Sequence, residues 1–268
     1  MVTEGKTRKK LTPTRIVGVI GTGIAAGFLA GLFGVGGGMI IVPVLVLALG
    51  MSQRQAAATS LASIAVTASF GSITYATQGH VSIPAMLFVA TGALVGAQIG
   101  TWLLRILPER ILPWIFVGFA AMIIAIQQIH EPVRAAVIDI TFTSAIAMIG
   151  VGLVSGIFAG LVGVGGGGLI VPGLEIVVGA GDLIARGTSL LAMIPTSLSG
   201  TYSNLKHGLV DLPVGILIGL AASLTTPLGL WTASSISPRT GTYLFGAFLV
   251  AVSISTVLKA RAKRLKKK

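Results

Sequence analysis

The chain has no cysteine, which excludes disulfides, thiolate metal centres and cysteine nucleophiles. Charge is nearly as scarce. Only 10% of its 268 residues are Asp, Glu, Lys or Arg, against about 25% in ordinary soluble domains, so a globule of this composition could not cover itself with polar surface. The three histidines, His80, His130 and His207, all fall near expected loops and none has a serine or paired acid positioned for hydrolysis. Catalysis therefore has no evident residues, and neither a metal nor an organic cofactor is implied.

What the chain has in quantity is apolar sequence: 54% of residues are hydrophobic and the mean hydropathy is +0.96. Uncharged or nearly uncharged stretches recur at 16–33, 55–77, 84–104, 111–129, 140–162, 187–205, 213–236 and 241–258. Each approaches the roughly 20 helical residues that cross a hydrocarbon core. Barrel strands would alternate polar and apolar residues over about ten positions, and that pattern is missing. The expected class is an all-α polytopic membrane protein of about 8–10 membrane segments.

The net charge of +12 would suggest nucleic acid in a soluble protein, but here much of the excess is at the ends. Lys6, Arg8, Lys9, Lys10 and Arg15 precede the first span, and Lys259, Arg261, Lys263, Arg264, Lys266, Lys267 and Lys268 follow the last. Such clusters mark the cytoplasmic side and can touch anionic headgroups. The expectation is a multi-pass protein of the cytoplasmic membrane with both termini inside, membrane lipid as a partner and no nucleic acid. A homo-oligomer is compatible with this reading. The first apolar stretch follows basic residues as a signal sequence would, yet no convincing cleavage site ends it, so it is kept as part of the mature protein.

Shifted by 129 residues, the sequence aligns with itself. GFLAGLFGVGGGMIIVP from Gly27 lies on GIFAGLVGVGGGGLIVP from Gly156, with 12 of 17 positions identical. The register then holds without a gap through Thr59-Ser60-Leu61 on Thr188-Ser189-Leu190, Gly71 on Gly200, Gly79 on Gly208, Pro84 on Pro213, Trp102 on Trp231 and Arg110 on Arg239. Agreement over about a hundred residues is the mark of internal duplication. The expected organisation is a basic N-terminus at 1–15, a first transmembrane repeat at 16–130, a linker at 131–138, a second repeat at 139–258 and a basic tail at 259–268.

Each repeat contains a glycine run, Gly34, Gly36, Gly37 and Gly38 in the first and Gly163, Gly165, Gly166, Gly167 and Gly168 in the second. Consecutive glycines weaken a helix by about 1 kcal/mol each, so a break is expected there. A short apolar segment follows each run, at 39–50 and 169–179, with Pro43 or Pro172 in its first turns, where proline is best tolerated. Broken helices in duplicated halves commonly surround a midplane substrate site, and free N–H groups at such breaks suit a small anion. The alternative is that the glycines only permit close helix contact.

These paired motifs, the Thr-Ser-Leu triplets and the basic C-terminus make the chain resemble the TauE/SafE family of sulfite exporter-like permeases. The resemblance implies movement of sulfite, organosulfonates or related sulfur-containing anions across a cytoplasmic membrane.

Candidate substrate-binding residues are therefore the glycines of both runs together with Thr59, Ser60, Thr188 and Ser189, whose hydroxyls could add donors from both halves; hydroxyls in membrane helices also bond back to their own backbone. Glu175 is an acid inside an apolar segment, matched by Val46 in the first half. Charged groups at such depth are costly and face a cavity or a partner, and desolvation favours the proton-carrying form of a carboxyl. Glu175 is thus a candidate for coupling anion movement to protons, with placement at the interface beside Arg186 as the alternative. Arg186, Asn204, Lys206 and His207 are candidates for an anion entry path, or are loop groups and anchors. Loop charges favour an inverted second half over a parallel one, because inversion gathers Arg54, Arg105, Arg110 and Lys206 on the cytoplasmic side.

Overall fold

The computed structural model describes residues 13–129, 133–134 and 140–265. Lys6, Arg8, Lys9, Lys10, His130, Lys266, Lys267, Lys268 and all of the 131–138 linker except Val133 and Arg134 lie outside the described residues. The described chain forms ten helices: α1 (Pro13–Phe33), α2 (Gly38–Ala48), α3 (Gln53–Ala76), α4 (Ile83–Ile106), α5 (Leu112–Ile129), α6 (Phe142–Val162), α7 (Gly167–Val178), α8 (Asp182–Leu205), α9 (Leu212–Ser235) and α10 (Pro238–Leu265). The all-helical class is as expected. Six of them, α1, α3, α4, α6, α9 and α10, are long and apolar enough to cross a membrane.

Local sequence explains the starts. Ser52 caps α3 reciprocally with Gln55, and Thr141 caps α6 with Ser144. The Ser82 and Asp211 side chains accept from the third amide of α4 and α9, each with a proline in the first turn. These caps satisfy amides that have no intrahelical partner.

Two boundaries differ from expectation. Helix α8 begins at Asp182 rather than near 187, because its two charges do not mark a loop: Asp182 and Arg186 are one turn apart and pair with each other, and an acid at a helix N-terminus is favourable. Helix α10 continues through the basic tail to Leu265.

Contacts between helices fix their directions. Along α1 and α9, Gly23 lies on Ile218 and Ala221, Gly27 on Ala222 and Gly31 on Thr226, so these two helices run parallel. The same holds for α4 and α6, where Gly92, Gly96 and Gly100 meet Ile149, Leu153 and Ile157 in turn. Helices α3 and α9 are also parallel, with Gly215 against Ala62 and Gly219 against Val66. Helices α3 and α8 oppose each other: Tyr75 meets Gly187, Leu190 meets Gly71, and Leu61 meets Gly200.

Short turns reverse the chain between α3 and α4 and between α8 and α9. Helices α1 and α3 must then point the same way, so the segment holding α2 returns to the face on which α1 began. By the same logic α6 and α8 run opposite to α1 and α3. The helix directions are those of the inverted arrangement, and the described ends, Pro13 and Leu265, share one face. Helices α3 and α8 form the centre. Helix α8 is as long as α3 but too polar to count among the apolar spans; protein rather than lipid surrounds its polar residues, since Asp182, Arg186, Thr188, Ser189, Thr196, Ser197, Thr201 and Asn204 are all buried.

Candidate functional site

The two glycine breaks share one backbone shape. Gly34, Gly36 and Gly37 have φ of 71°, 70° and 79°, and Gly163, Gly165 and Gly166 have 77°, 79° and 83°. All six are in the left-handed region that other residues occupy only at a cost. The runs meet at the middle of the molecule. A Cβ on Gly38 would lie 2.6 Å from the Gly163 carbonyl oxygen, and one on Gly167 would lie 2.5 Å from that of Gly34. Backbone therefore crosses backbone with no space for side chains. Around the crossing stand Ile64 of α3 and Met193 of α8, which take up the space beside Gly36 and Gly165. The glycine runs are thus brought together, and apolar side chains fill the volume next to them.

The hydroxyls divide. Thr59 accepts from the Asp211 amide at 3.0 Å, and Thr188 accepts from the Ser82 amide at 2.9 Å. Each threonine holds the start of a helix in the other half. Ser189 donates to the Gly34 carbonyl at 3.1 Å, whereas Ser60 Oγ, fully buried, has no hydrogen-bond partner among the described residues.

The end of α1 is clamped by side chains from α3 and α8. Tyr75 donates its hydroxyl to the Gly31 carbonyl at 2.6 Å, and Arg186 donates to the Leu32 carbonyl at 2.6 Å. These are carbonyls that a helix terminus leaves without internal partners. Arg186 also pairs with Asp182 at 3.2 Å, and Arg134 approaches the other Asp182 oxygen at 3.5 Å. Arg134 in turn donates to the carbonyls of Ala233 and Ile236, which ties the start of α8 to the α9–α10 turn.

Beside this clamp is a cavity of about 30 Å³ lined by Phe33, Gln127, Pro172, Glu175, Arg186 and Thr242, among others. That is room for a water molecule or two. Glu175 is 8% exposed and faces this cavity together with Arg186. Gln127 and Thr242 are the other polar side chains of its lining.

Of the four entry-path residues, the structure separates Arg186 from Asn204, Lys206 and His207. Arg186 is near the start of α8 and Asn204 near its end, 18 residues and about 27 Å apart along the axis. Arg186 and Asn204 are buried, while Lys206 lies over the ring of exposed Tyr202. His207 is exposed and bonded to the Ser203 carbonyl. Gln98 reaches across to Ser199, a helix-pairing role, and Trp102 and Trp231 are exposed to the surroundings. Sequence reasoning missed Tyr75, Gln127, Arg134, Asp182 and Thr242. The opposite charges at 182 and 186 were a readable signal; the others depend on which helices cross.

Oppositely directed halves, each with a glycine-broken helix ending at the centre of a multi-pass bundle, recur in many membrane transporters. The sequence model described as Sulfite exporter TauE/SafE matches residues 2–127 and 148–268, and the chain belongs to that family. Among curated proteins it is 27% identical over 257 residues to a "Probable membrane transporter protein" of Xylella fastidiosa, covering 94% of this chain and 98% of the relative. It is 27% identical to the "Probable membrane transporter protein YdhB" of Bacillus subtilis over 72% of this chain and 81% of the relative. The "Probable membrane transporter protein YunE" of the same organism is 30% identical, over 46% of this chain and 48% of that protein. No solved structure matches the chain. The protein is a multi-pass membrane transporter.

Proposed function

We propose that this protein is a secondary transporter that exports a small anion, sulfite, an organosulfonate or a related sulfur-containing oxyanion, and that Glu175 couples the movement to protons. The observation that carries the reading is the central crossing of the two glycine breaks in oppositely directed halves. Such a crossing gathers backbone N–H and C=O groups of both halves at the centre of the bundle, and the family supplies the sulfur anion class. Proton coupling draws support from Glu175, a buried carboxyl lining the same small cavity as Arg186.

Charge distribution supports cytoplasmic termini. Arg54, Arg105, Arg110 and Lys206 are on the face that carries the described ends, whereas Arg134, Arg186 and Arg239 are toward the other. Excess basic charge marks the cytoplasmic side.

The test is uptake into proteoliposomes of sulfite, sulfate, thiosulfate and short sulfonates, with and without a pH gradient. Uptake of at least one sulfur anion, accelerated by the gradient, is expected, and Glu175→Gln should lose the acceleration. No uptake across the panel would refute the substrate class. Unchanged proton dependence in the variant would remove Glu175 from the mechanism and favour an uncoupled anion channel if the gradient has no effect at all.

A further inference from the structure

The clamp on α1 has a counterpart that is chemically different. Adding 129 to Gly31, Leu32 and Gly34 gives Gly160, Leu161 and Gly163, the end of α6. Adding or subtracting 129 turns the clamping residues Tyr75, Arg186 and Ser189 into Asn204, Ala57 and Ser60. On α1, three donors meet three carbonyls. At the α6 end, Ala57 has no donor, and the Ser60 hydroxyl and both polar atoms of the Asn204 amide have no partner among the described residues. Thr201, one turn from Asn204 on α8, also has an unpartnered hydroxyl. Ser60 and Asn204 are fully buried and Thr201 is 6% exposed.

These groups share one level. Gly163 lies directly on Ala57. The antiparallel register of α3 and α8, with Tyr75 at Gly187 and Leu61 at Gly200, brings Asn204 level with Ala57. Ser60 belongs to the α3 stripe that runs from Ala57 to Ile64 and faces the glycine breaks. Asn204 belongs to the α8 stripe of Met193, which touches Gly36, Gly165 and Gly167.

A buried polar atom without a partner costs about 1–3 kcal/mol, so the three oxygens among them, Ser60 Oγ, Thr201 Oγ1 and Asn204 Oδ1, together call for a ligand. The character of that ligand follows from the other half. At the end of α1 a positive charge, the Arg186 guanidinium, rests on the carbonyls and on the negative end of the helix dipole. At the end of α6 Ala57 stands in the place of Arg186; of the guanidiniums nearby, Arg105 is taken up by Ser203 at 3.1 Å and Arg54 by the Leu107 carbonyl at 2.9 Å, and Asn204 and Ala57 are much shorter than Tyr75 and Arg186. Three unpartnered side-chain oxygens stand at this level instead, with no acidic residue among them.

We propose that the C-terminal end of α6 binds a small monovalent cation such as sodium, held by Ser60, Thr201, Asn204 and the terminal carbonyls. The neutral ligand set suits a single charge, and carbonyls at broken helix ends coordinate sodium in other transporters. The site adds a coupling ion to the transport proposed above; its binding can be measured without any anion substrate.

The experiment is thermal unfolding of the purified full-length protein during a sodium chloride titration, with choline chloride holding ionic strength and chloride constant. A saturable, sodium-specific rise in Tm is expected, since a ligand stabilises the state it binds. Asn204→Leu and Ser60→Ala should each weaken the apparent sodium affinity by about tenfold or more. Both variants should fold, because replacing an unpartnered buried polar group by an apolar one is neutral or stabilising. Equal Tm in sodium and choline, or an undiminished sodium response in both variants, would overturn the assignment. So would a rise produced by choline sulfite and lost in the same variants, which would make the cluster an anion site. Sodium stabilisation without uptake of any sulfur anion would refute the substrate reading and leave the cation site standing.

Discussion

Replacing Arg186 by methionine tests whether the buried charge cluster is held as a unit. The guanidinium is 5% exposed and Asp182 is fully buried, with Arg186 at 3.2 Å and the partly exposed Arg134 at 3.5 Å as its two counter-charges. Taking away one partner of a buried pair costs about 3–5 kcal/mol, mostly because the remaining charge is left uncompensated. Loss of the donor to the Leu32 carbonyl is part of the same figure rather than an addition to it. Arg134 still opposes Asp182, so the lower end of the range is expected, equivalent to a fall in Tm on the order of 10 °C. The assay is size-exclusion chromatography of heated, detergent-solubilised protein. The decisive comparison is the double variant Arg186→Met with Asp182→Asn. Without the buried carboxylate most of the loss should return, to within about 1–2 kcal/mol of the parent, since replacing a whole buried pair is often close to neutral. A double variant as unstable as the single would refute the electrostatic reasoning and leave the Leu32 carbonyl as the reason for the arginine.

Three further outcomes follow from the geometry. Gly96→Ala would push a methyl group into the Leu153 carbonyl at the α4–α6 crossing and should destabilise by about 1–3 kcal/mol, whereas Gly118→Ala, which meets nothing within 4 Å, should be neutral or stabilising by up to about 1 kcal/mol; heating curves of the two proteins distinguish them. Single cysteines replacing His80 and Glu109 in this cysteine-free chain should label from opposite sides of the membrane, and labelling of both by one impermeant reagent would contradict the helix directions. Ser189→Ala removes one buried hydrogen bond to Gly34 and should lower stability by about 1 kcal/mol, measured as a shift in Tm, while leaving the Ser60 side unchanged.

The broken helices were readable because glycine and proline are local punctuation: the short segments expected at 39–50 and 169–179 correspond to α2 at Gly38–Ala48 and α7 at Gly167–Val178. The start of α8 was not, because a pair of opposite charges looks like a loop when the partner across one helical turn is ignored. The paired Thr-Ser motifs showed a different limit. They are the same in both halves, yet the threonines cap helices of the opposite half and the two serines differ in having a partner. Those roles arise from long-range packing, α3 on α9 and α8 on α4, which local pattern does not encode. The identity of Tyr75 as a clamp on Gly31 belongs to the same category.

Where the chemistry lies is a matter of mismatch between the halves rather than of the shared motif. The glycine breaks are equivalent in sequence and in backbone angles, so they set a central crossing that treats both faces of the membrane alike. Glu175 against Val46, Arg186 against Ala57 and Asn204 against Tyr75 place charge and a small cavity toward one face and unpartnered neutral oxygens toward the other. Such asymmetry cannot by itself choose the direction of net flux, because a protein shifts only the equilibria between states that its ligands bind differently. What it can choose is which ion is bound when each face is open. Differential binding of that kind, one ion favouring the state clamped at α1 and another favouring the state free at α6, is the condition for coupling, and the glycine motif common to both halves could not supply it.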